Sequence, residues 1–382
     1  DKPSDGVEDD LFAKSLVIQD GTGETLVMVT LDLISVPGPL RAHIQDKLKQ
    51  SHGLASENLL MNCSHTHSGP EIRTTGTALD GLDPERREKA VAYVESLQTK
   101  ILSSIDAAFI KLAPTKISFQ KARAGFAMNR RLPSDTGYRN SPNPDGRVDH
   151  DVPLLRVEDI EGAITAIVFG YACHNTTLGF YQMNGDYAGY AQHYIEEAHP
   201  GTVAMFMMGC GGDQNPYPRR KLELAKQHGQ TLATAVEAGL ETPKRPITGS
   251  LKMAFATADL EYAEAQTKEE LLEQAQSTNK YDQKYAERLL KEMEAGTLIS
   301  SYPAPVQAVR FGDAVLFVAL PGETVVDYSL RIKRENRHQD GPDVWVAGYS
   351  NDVFAYIPSL RILQEGGYEA GGAMRYMTTV VQ

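Results

Sequence analysis

The sequence has only three cysteines in 382 residues, and it lacks both a long apolar run and an excess of basic charge. Cys63, Cys173 and Cys210 are too few for a disulfide framework and lack a CxxC spacing, so we expect small buried side chains. No run of about 18 uncharged apolar residues is present, which argues against a transmembrane helix. A net charge of -12 argues against a nucleic-acid partner, which would need a concentrated basic face.

The composition that is present, 41% hydrophobic and 23% charged, is typical of a soluble globular protein with a large core. The first ten residues are rich in Asp, Lys and Pro and contain no secretory signal. This leaves the compartment open, because a cleaved signal would already be gone.

Five apolar runs each end in a short loop with side chains that can bind a metal or transfer a proton. The runs are Leu59–Cys63, 163–171, Val203–Met208, 314–320 and 344–347, and the loops that follow carry His65 and His67, His174, Asp213, Glu323, and Asp352. Open α/β sheets bind ligands outside the carboxyl ends of their strands. The gathered histidines and glutamate therefore predict a metal-centred hydrolase site.

The remaining patterns predict an α/β fold. Ala13–Gln19 and 26–33 are typical of strands, and 39–50 and 83–110 are typical of helices with proline in the first turn. Continued alternation predicts a mostly parallel or mixed central sheet flanked by helices (α/β/α), with the site at the C-terminal ends of strands. We expect a single catalytic domain over 1–382.

Two segments interrupt this alternation. Residues 130–149 contain three prolines and several Asn and Asp residues, which predicts a long active-site loop. Residues 262–296 are rich in alanine and glutamate and predict an inserted pair of exposed helices, broken near Asn279.

Single residues leave alternatives open. His65 and His67 lie on one side of an extended chain, so one could bind metal while the other faces a substrate. His174 follows an apolar strand, and a hydrogen-bonded structural histidine is an equally good interpretation. Glu323 opens a helix predicted through Arg331, where the helix dipole alone would favour a carboxylate.

The ordered set of motifs is more specific than any one of them. The set consists of Ser64-His65-Thr66-His67-Ser68-Gly69-Pro70, Asn129-Arg130, Asp186 with Gly189-Tyr190-Ala191, Gly212-Asp213, Pro321-Gly322-Glu323, Ser350-Asn351 with Tyr356, and Gly367-Tyr368-Glu369. Over nearly the whole chain it resembles the catalytic domain of the neutral, non-lysosomal ceramidases, a family of zinc-dependent amidases.

The resemblance implies a site and a cofactor. One Zn²⁺ per chain would be held by His65, His174, Glu323 and Tyr356. The catalytic residues would be His67, which moves a proton toward the leaving group, Arg130 and Tyr368, which stabilise the oxyanion, and Asn215. The resemblance also implies a secreted or periplasmic location.

Asn215 departs from the family pattern, because ceramidases carry a serine at this position. An amide cannot act as a nucleophile, although it can donate a hydrogen bond to an oxyanion. The sequence ends soon after Tyr368, so we expect the immunoglobulin-like domain that the resemblance implies after this point to be missing.

Three functions are therefore weighed. The leading hypothesis is hydrolysis of an amide in an N-acylated small molecule by metal-activated water. The second is hydrolysis of a glycosidic, ester or lactone bond in a polar, sugar-like substrate, which the polar segment 130–149 favours. The third is a non-catalytic binding homologue, which has no need for an intact ligand set. The sequence does not indicate an oligomeric state.

Overall fold

The computed structural model describes residues 3–73 and 82–374 of the protein. Its strands are β1 (Gly6–Val7), β2 (Ala13–Gln19), β3 (Thr25–Leu31), β4 (Leu59–Cys63), β5 (Lys116–Arg123), β6 (Ala127–Ser134), β7 (Gly137–Asn143), β8 (Asp151–Glu158), β9 (Ile164–Tyr171), β10 (Gln182–Met183), β11 (Val203–Met208), β12 (Gln214–Pro216), β13 (Arg245–Pro246), β14 (Leu251–Glu261), β15 (Ser301–Phe311), β16 (Val315–Ala319), β17 (Glu323–Thr324), β18 (Asp343–Ala347) and β19 (Tyr356–Ile357). Its helices are α1 (Gly38–His52), α2 (Pro84–Ile110), α3 (Asp186–Ala198), α4 (Leu222–Leu240), α5 (Lys268–Gln274), α6 (Lys280–Ala295), α7 (Val326–Glu335) and α8 (Leu360–Glu365). A short 3-10 turn spans Ser56–Asn58, and a π-helical turn spans Tyr368–Gly372.

Two sheets form the centre of the molecule, with the strand orders β11-β9-β8-β5-β13 and β2-β3-β4. β11 runs parallel to β9 and β4 runs parallel to β3, whereas β8 and β5 are antiparallel to their neighbours. Side chains of β11 alternate between two cores, with Phe206 and Met208 in one and Met205 and Met207 in the other. Strands that are buried on both faces form continuous apolar runs. All five runs in the sequence are strands, namely β4, β9, β11, β16 and β18.

Different layers cover the two faces of these central sheets. Helices α1 to α4 cover the first face, with Ile44, Ile101, Ile195 and Leu232 fully buried in its core. The sheet β14-β15-β16-β18 covers the second face, where Trp345 is buried. The predicted fold class, a mixed α/β protein with a mixed central sheet and flanking helices, is confirmed, and the structure adds this further sheet as a layer.

Helices α1 and α2 begin and end where local signals predicted. α1 carries proline in its first turn and ends at Gly53, whose φ of 71° gives a left-handed cap. The side chain of Asp83 accepts a hydrogen bond from the N–H of Arg86 at the start of α2. Within residues 3–73 and 82–374, no helix has the length and apolar character needed to cross a membrane.

The segment 130–149 is not the long loop that its prolines predicted. Most of it forms the antiparallel hairpin of β6 and β7, closed at Gly137, whose φ is 111°. Pro142 lies in β7, which is the edge strand of the sheet β12-β6-β7. Proline is tolerated at a sheet edge, because its missing N–H interrupts no ladder hydrogen bond there. The loop prediction, made from the prolines, glycines and Asn and Asp residues of this segment, was therefore wrong for residues 130–134 and 137–143.

The predicted helix pair within 262–296 is confirmed as α5 and α6. Asn279 caps α6 by accepting a hydrogen bond from the N–H of Tyr281. Leu271, Tyr285 and Leu289 form a small separate core between the two helices. Tyr262, at the start of the segment, belongs instead to a buried cluster that includes Tyr356, and Tyr368 packs against that cluster.

Candidate functional site

Three side chains from separate strand ends converge on one point. His65 follows β4, His174 follows β9, and Glu323 follows β16 after a short loop. Glu323 Oε2 lies 3.2 Å from Nε2 of His65 and 3.1 Å from Nε2 of His174. All three residues are buried. The sequence prediction that these loops gather at the carboxyl ends of the strands therefore agrees with the structure.

Backbone carbonyls fix the orientation of both imidazoles. Nδ1 of His65 lies 2.6 Å from the carbonyl oxygen of Ile34, and Nδ1 of His174 lies 2.6 Å from that of Gly211. A carbonyl can only accept, so each Nδ1 carries a proton and donates it. In a neutral ring this leaves Nε2 as the metal-binding nitrogen, which is the arrangement seen around metal-ligating histidines.

The charges at this point fit a bound cation. Burial raises the pKa of Glu323, but His65 and His174 outweigh it and hold that pKa well below its ordinary value. Burial, followed by the charge of Arg130, lowers the pKa of His174 to about 4, so this ring is neutral near pH 7. The unprotonated Nε2 of His174 then faces the carboxylate of Glu323. The lone pairs of these two atoms repel each other unless a cation lies between them.

Tyr356 completes the group. Its hydroxyl lies 3.3 Å from Nε2 of His174, and β19 pairs it with Glu323 in β17. Ligands about 2.0–2.1 Å from one tetrahedral Zn²⁺ are roughly 3.3 Å apart. The three separations of 3.1, 3.2 and 3.3 Å match that spacing. Glu323 does not open a helix as predicted, because α7 begins at Val326 and the β17–β19 pairing positions Glu323 instead.

His67 lies beside this group and opens to a cavity above it. Its Nε2 is 3.1 Å from Nε2 of His65. The ligand nitrogens of His65, His67 and His174 all lie within 4.8 Å of one another, so the three imidazoles could hold a metal ion. The side chain of His67 is exposed to the cavity, but partial loss of solvent within the site, together with the neighbouring imidazoles of His65 and His174, lowers its pKa well below the ordinary value. The ring is therefore neutral and able to accept a proton.

Arg130 lies on the opposite side of the group, held by a buried ion pair. Its Nε donates to Oε1 of Glu369 at 2.8 Å, and one terminal nitrogen donates to the hydroxyl of Tyr356 at 2.9 Å. Its other terminal nitrogen lies 3.3 Å from Nε2 of His174. Burial would lower the pKa of Arg130, but Tyr356 and Glu369 raise it well above its ordinary value. The guanidinium is a fixed positive charge beside the candidate metal position.

Asn215 and Tyr368 both line the same cavity, as predicted. Oδ1 of Asn215 accepts from a terminal nitrogen of Arg130 at 3.3 Å and from Oγ1 of Thr176 at 3.2 Å. The ring of Tyr368 lies 5.7 Å from that of Tyr356 and 5.4 Å from the guanidinium carbon of Arg130. The structure thus brings together all eight predicted site residues.

Sequence reasoning missed two buried residues of the site. Glu369 joins Arg130 to Arg131, whose terminal nitrogen donates to its second carboxylate oxygen at 2.7 Å. The hydroxyl of Tyr349 donates to Oε2 of Glu323 at 3.3 Å. Tyr349 lies two residues after the end of the fifth apolar run, so its position near a strand end could have indicated it. Glu369 stands in the motif Gly367-Tyr368-Glu369, but it follows no apolar run that would have indicated a role of its own.

The cavity above the group has a volume of about 430 Å³, within the range of small-molecule sites. None of the described residues that line it is an aspartate or a glutamate. A larger cavity of about 720 Å³ lies at the opposite ends of the strands, between β2 and the starts of β5, β9 and β11. We assign the chemistry to the smaller one, because it alone opens onto the histidine group.

This fold and site define a class of protein. It is a mixed α/β protein whose strand ends bring imidazoles together around a possible metal position. The model of a family described as neutral/alkaline non-lysosomal ceramidase, N-terminal, matches residues 1–217. That match covers more than half of the 382 residues, and the chain belongs to this family. Glu323, Tyr356 and Tyr368 lie beyond the matched range.

Relatives and solved structures agree with this membership. Neutral ceramidase B of Dictyostelium discoideum is 26% identical over 225 residues, which are 54% of this chain and 31% of that protein. Neutral ceramidase A of the same organism is 26% identical over 231 residues, with the same two shares. The crystal structure of neutral ceramidase from Pseudomonas aeruginosa matches with a TM-score of 0.72 and 20% identity, over 95% of this chain and 65% of that chain. A ceramidase complexed with C2 matches with a TM-score of 0.71, 18% identity, and shares of 95% and 66%. The chain spans about a third of the length of the curated relatives, and at these identities the structural likeness shows the fold alone.

Proposed function

We propose that the chain is a zinc-dependent hydrolase that cleaves the amide bond of an N-acylated small molecule. The observation that carries the proposal is the convergence of His65 Nε2, His174 Nε2 and Glu323 Oε2, with both Nδ1 atoms bound to carbonyls. These three atoms and the hydroxyl of Tyr356 would hold one Zn²⁺. Bound there, Zn²⁺ supplies a Lewis acid that polarises a carbonyl and makes water nucleophilic near neutral pH.

The residues around the cavity supply the remaining chemistry. The guanidinium of Arg130 and the hydroxyl of Tyr368, two residues that line the cavity, would donate hydrogen bonds to the oxygen of a scissile carbonyl as negative charge develops on it. His67 opens to the cavity with a neutral ring, so it can take a proton from water and pass it to the leaving nitrogen.

Asn215 has an indirect role in this scheme. Its Oδ1 accepts from Arg130 and Thr176, so it orients the guanidinium instead of attacking the substrate. Water is then the nucleophile, and no covalent acyl intermediate forms on the protein.

The cavity lining bears on the alternatives. An ester or lactone presents the same carbonyl to Arg130 and Tyr368, so these substrates belong in any screen. Glycoside hydrolysis ordinarily needs two carboxylates that flank the bond, whereas none of the described lining residues carries one. A non-catalytic binding homologue would not need His67 next to a complete set of metal ligands.

From the family alone we also propose a secreted or periplasmic location, which fractionation of the native host would test.

The test combines metal content with turnover. Purified protein, metal-stripped protein and zinc-restored protein are assayed on short N-acyl amides, matched esters, lactones and aryl glycosides. We expect amide hydrolysis that disappears with zinc and returns when zinc is restored. Zinc-independent hydrolysis, or zinc binding without hydrolysis of any carbonyl substrate, would overturn the proposal.

A further inference from the structure

The cavity above the candidate metal group carries positive charge in a protein that is acidic overall. The net charge of the chain is -12, yet Arg130, Arg219 and Arg220 all line this cavity. No aspartate or glutamate stands among its described lining residues. A cleft lined by one sign of charge focuses the field and concentrates ligands of the opposite sign.

Arg219 and Arg220 differ from Arg130 because neither forms an ion pair within the described parts of the chain. One terminal nitrogen of Arg219 lies 3.5 Å from Oγ1 of Thr176, and its guanidinium carbon lies 5.4 Å from the ring centre of Tyr217. A terminal nitrogen of Arg220 donates to the carbonyl oxygen of Leu178 at 3.1 Å. Both guanidiniums therefore keep donors available for a ligand.

The partial burial of Arg219 and the unusual backbone conformation of Arg220 indicate that this pair of arginines binds a ligand. Arg219 is half-buried, and burial together with the charges of Arg220 and Arg130 lowers its pKa. Arg220 has a φ of 83°, a conformation that a residue with a side chain rarely adopts. Arg220 is exposed, and backbone strain of this kind clusters at active sites and ligand-binding sites.

A chain of side-chain contacts connects Arg219 to the site of chemistry. Arg130 contacts His174 at 3.3 Å and Asn215 at 3.3 Å. Asn215 contacts Thr176 at 3.2 Å, and Thr176 lies 3.5 Å from Arg219. A group bound by Arg219 and a carbonyl held beside His174 would consequently lie in the same cavity, connected by these contacts.

We propose that Arg219 and Arg220 form a subsite for a carboxylate of the substrate, a few bonds from the scissile amide. This inference rests on the proposed hydrolase function and deepens it, because it names an N-acylated amino acid, not a neutral N-acyl alcohol, as the substrate class. Arginine is suited to this role, since its planar donors match a carboxylate in a bidentate geometry.

The test uses two compounds that differ only in charge, N-hexanoylglycine and N-hexanoylglycinamide. We measure kcat/KM for both with wild type, Arg219→Gln and Arg219→Lys, and we measure binding of both by calorimetry. Hydrogen bonds to a charged group correspond to about a 10- to 100-fold preference. We expect wild type to prefer the carboxylate by that factor and Arg219→Gln to bring the ratio close to one. Arg219→Lys should give an intermediate ratio. Arg331→Gln, which removes an exposed arginine outside the cavity, is the matched control and should keep the wild-type ratio.

The outcomes separate this inference from the proposed function. Hydrolysis of both compounds at similar kcat/KM by wild type would overturn the carboxylate subsite and leave the hydrolase intact. Selective binding of the carboxylate that Arg219→Gln abolishes, without hydrolysis of either compound, would support the subsite and overturn the hydrolase. Neither selective binding nor hydrolysis would overturn both.

Discussion

Glu323 and Tyr356 face each other in the parallel register of β17 and β19. Each strand has only two residues, yet the pairing joins the chain after β16 to the chain after β18. The N–H of Glu323 donates to the carbonyl oxygen of Ala355 at 2.8 Å, so the backbone itself sets the spacing of these two residues. Substitution of one side chain should therefore remove one proposed ligand without displacing the other.

The first prediction concerns metal content. We expect about one zinc per chain in the purified protein and loss of that zinc in His65→Ala and in Glu323→Gln. Removal of a direct ligand should weaken binding by at least the 10- to 100-fold typical of residues that only orient ligands. Elemental analysis by mass spectrometry after dialysis measures this. His193→Ala, which alters an exposed histidine, is the control, and full zinc occupancy in both ligand variants would end the proposal.

The second prediction separates metal binding from proton transfer. His67→Ala should retain zinc and lose roughly 10²–10⁴-fold in turnover, because His67 is assigned to proton transfer. Metal analysis and steady-state kinetics on the same preparation give both values. Loss of zinc in this variant would instead make His67 a ligand, together with His65 and His174.

The parts of the site that the sequence could predict lie at the ends of apolar strands. His65, His174 and Glu323 each follow a short apolar run, fully buried in β4, mostly buried in β9 and alternately buried in β16, and such runs stand out without knowledge of the fold. Parallel strands then place their carboxyl ends at one edge, so the convergence follows from topology.

The parts that could not be predicted depend on contacts between distant segments. Glu369 neutralises Arg130 and Arg131 only because the π-helical turn Tyr368–Gly372 lies against β6. Arg219 reaches the cavity because the chain after β12 folds toward Thr176. Neither position carries a periodic or local pattern, so the structure was needed to find them.

The third prediction concerns stability and its dependence on pH. Burial raises the pKa of Glu369, but Arg130 and Arg131 outweigh it and hold that pKa below its ordinary value. A carboxylate with a lowered folded-state pKa stabilises the fold above its unfolded pKa, about 4.3, and loses that contribution as the pH falls through the folded-state value. Glu369→Gln leaves the buried guanidinium of Arg130 without a charge partner, whereas Arg131 keeps its ion pair with Glu365, and should cost about 3–5 kcal/mol at pH 7.

Denaturant unfolding between pH 3 and pH 7 measures both effects. The difference between wild type and Glu369→Gln should shrink as the pH approaches 3, since wild type then loses the same charge. Glu335→Gln, which breaks an exposed pair with Arg331, should change stability by less than about 1 kcal/mol. A constant difference at all pH values would show that the charge of Glu369 is not what stabilises the fold.

The last prediction concerns Asn215, where the chain departs from the family pattern. Asn215 accepts hydrogen bonds from Arg130 and Thr176, so Asn215→Ala should free the guanidinium from its position. The reaction should slow by the amount typical of one lost oxyanion donor, on the order of 10²–10³, while zinc is retained. Asn215→Ser should not produce strong hydrolysis of long-chain ceramide, because the charged lining of the cavity gives two hydrocarbon chains little apolar surface. Comparison of kcat/KM for long-chain ceramide and for short polar N-acyl amides tests both variants. If the unmodified protein prefers long-chain ceramide, the cavity binds hydrocarbon chains despite its charged lining, and the substrate class that we infer from Asn215 and this lining would be wrong.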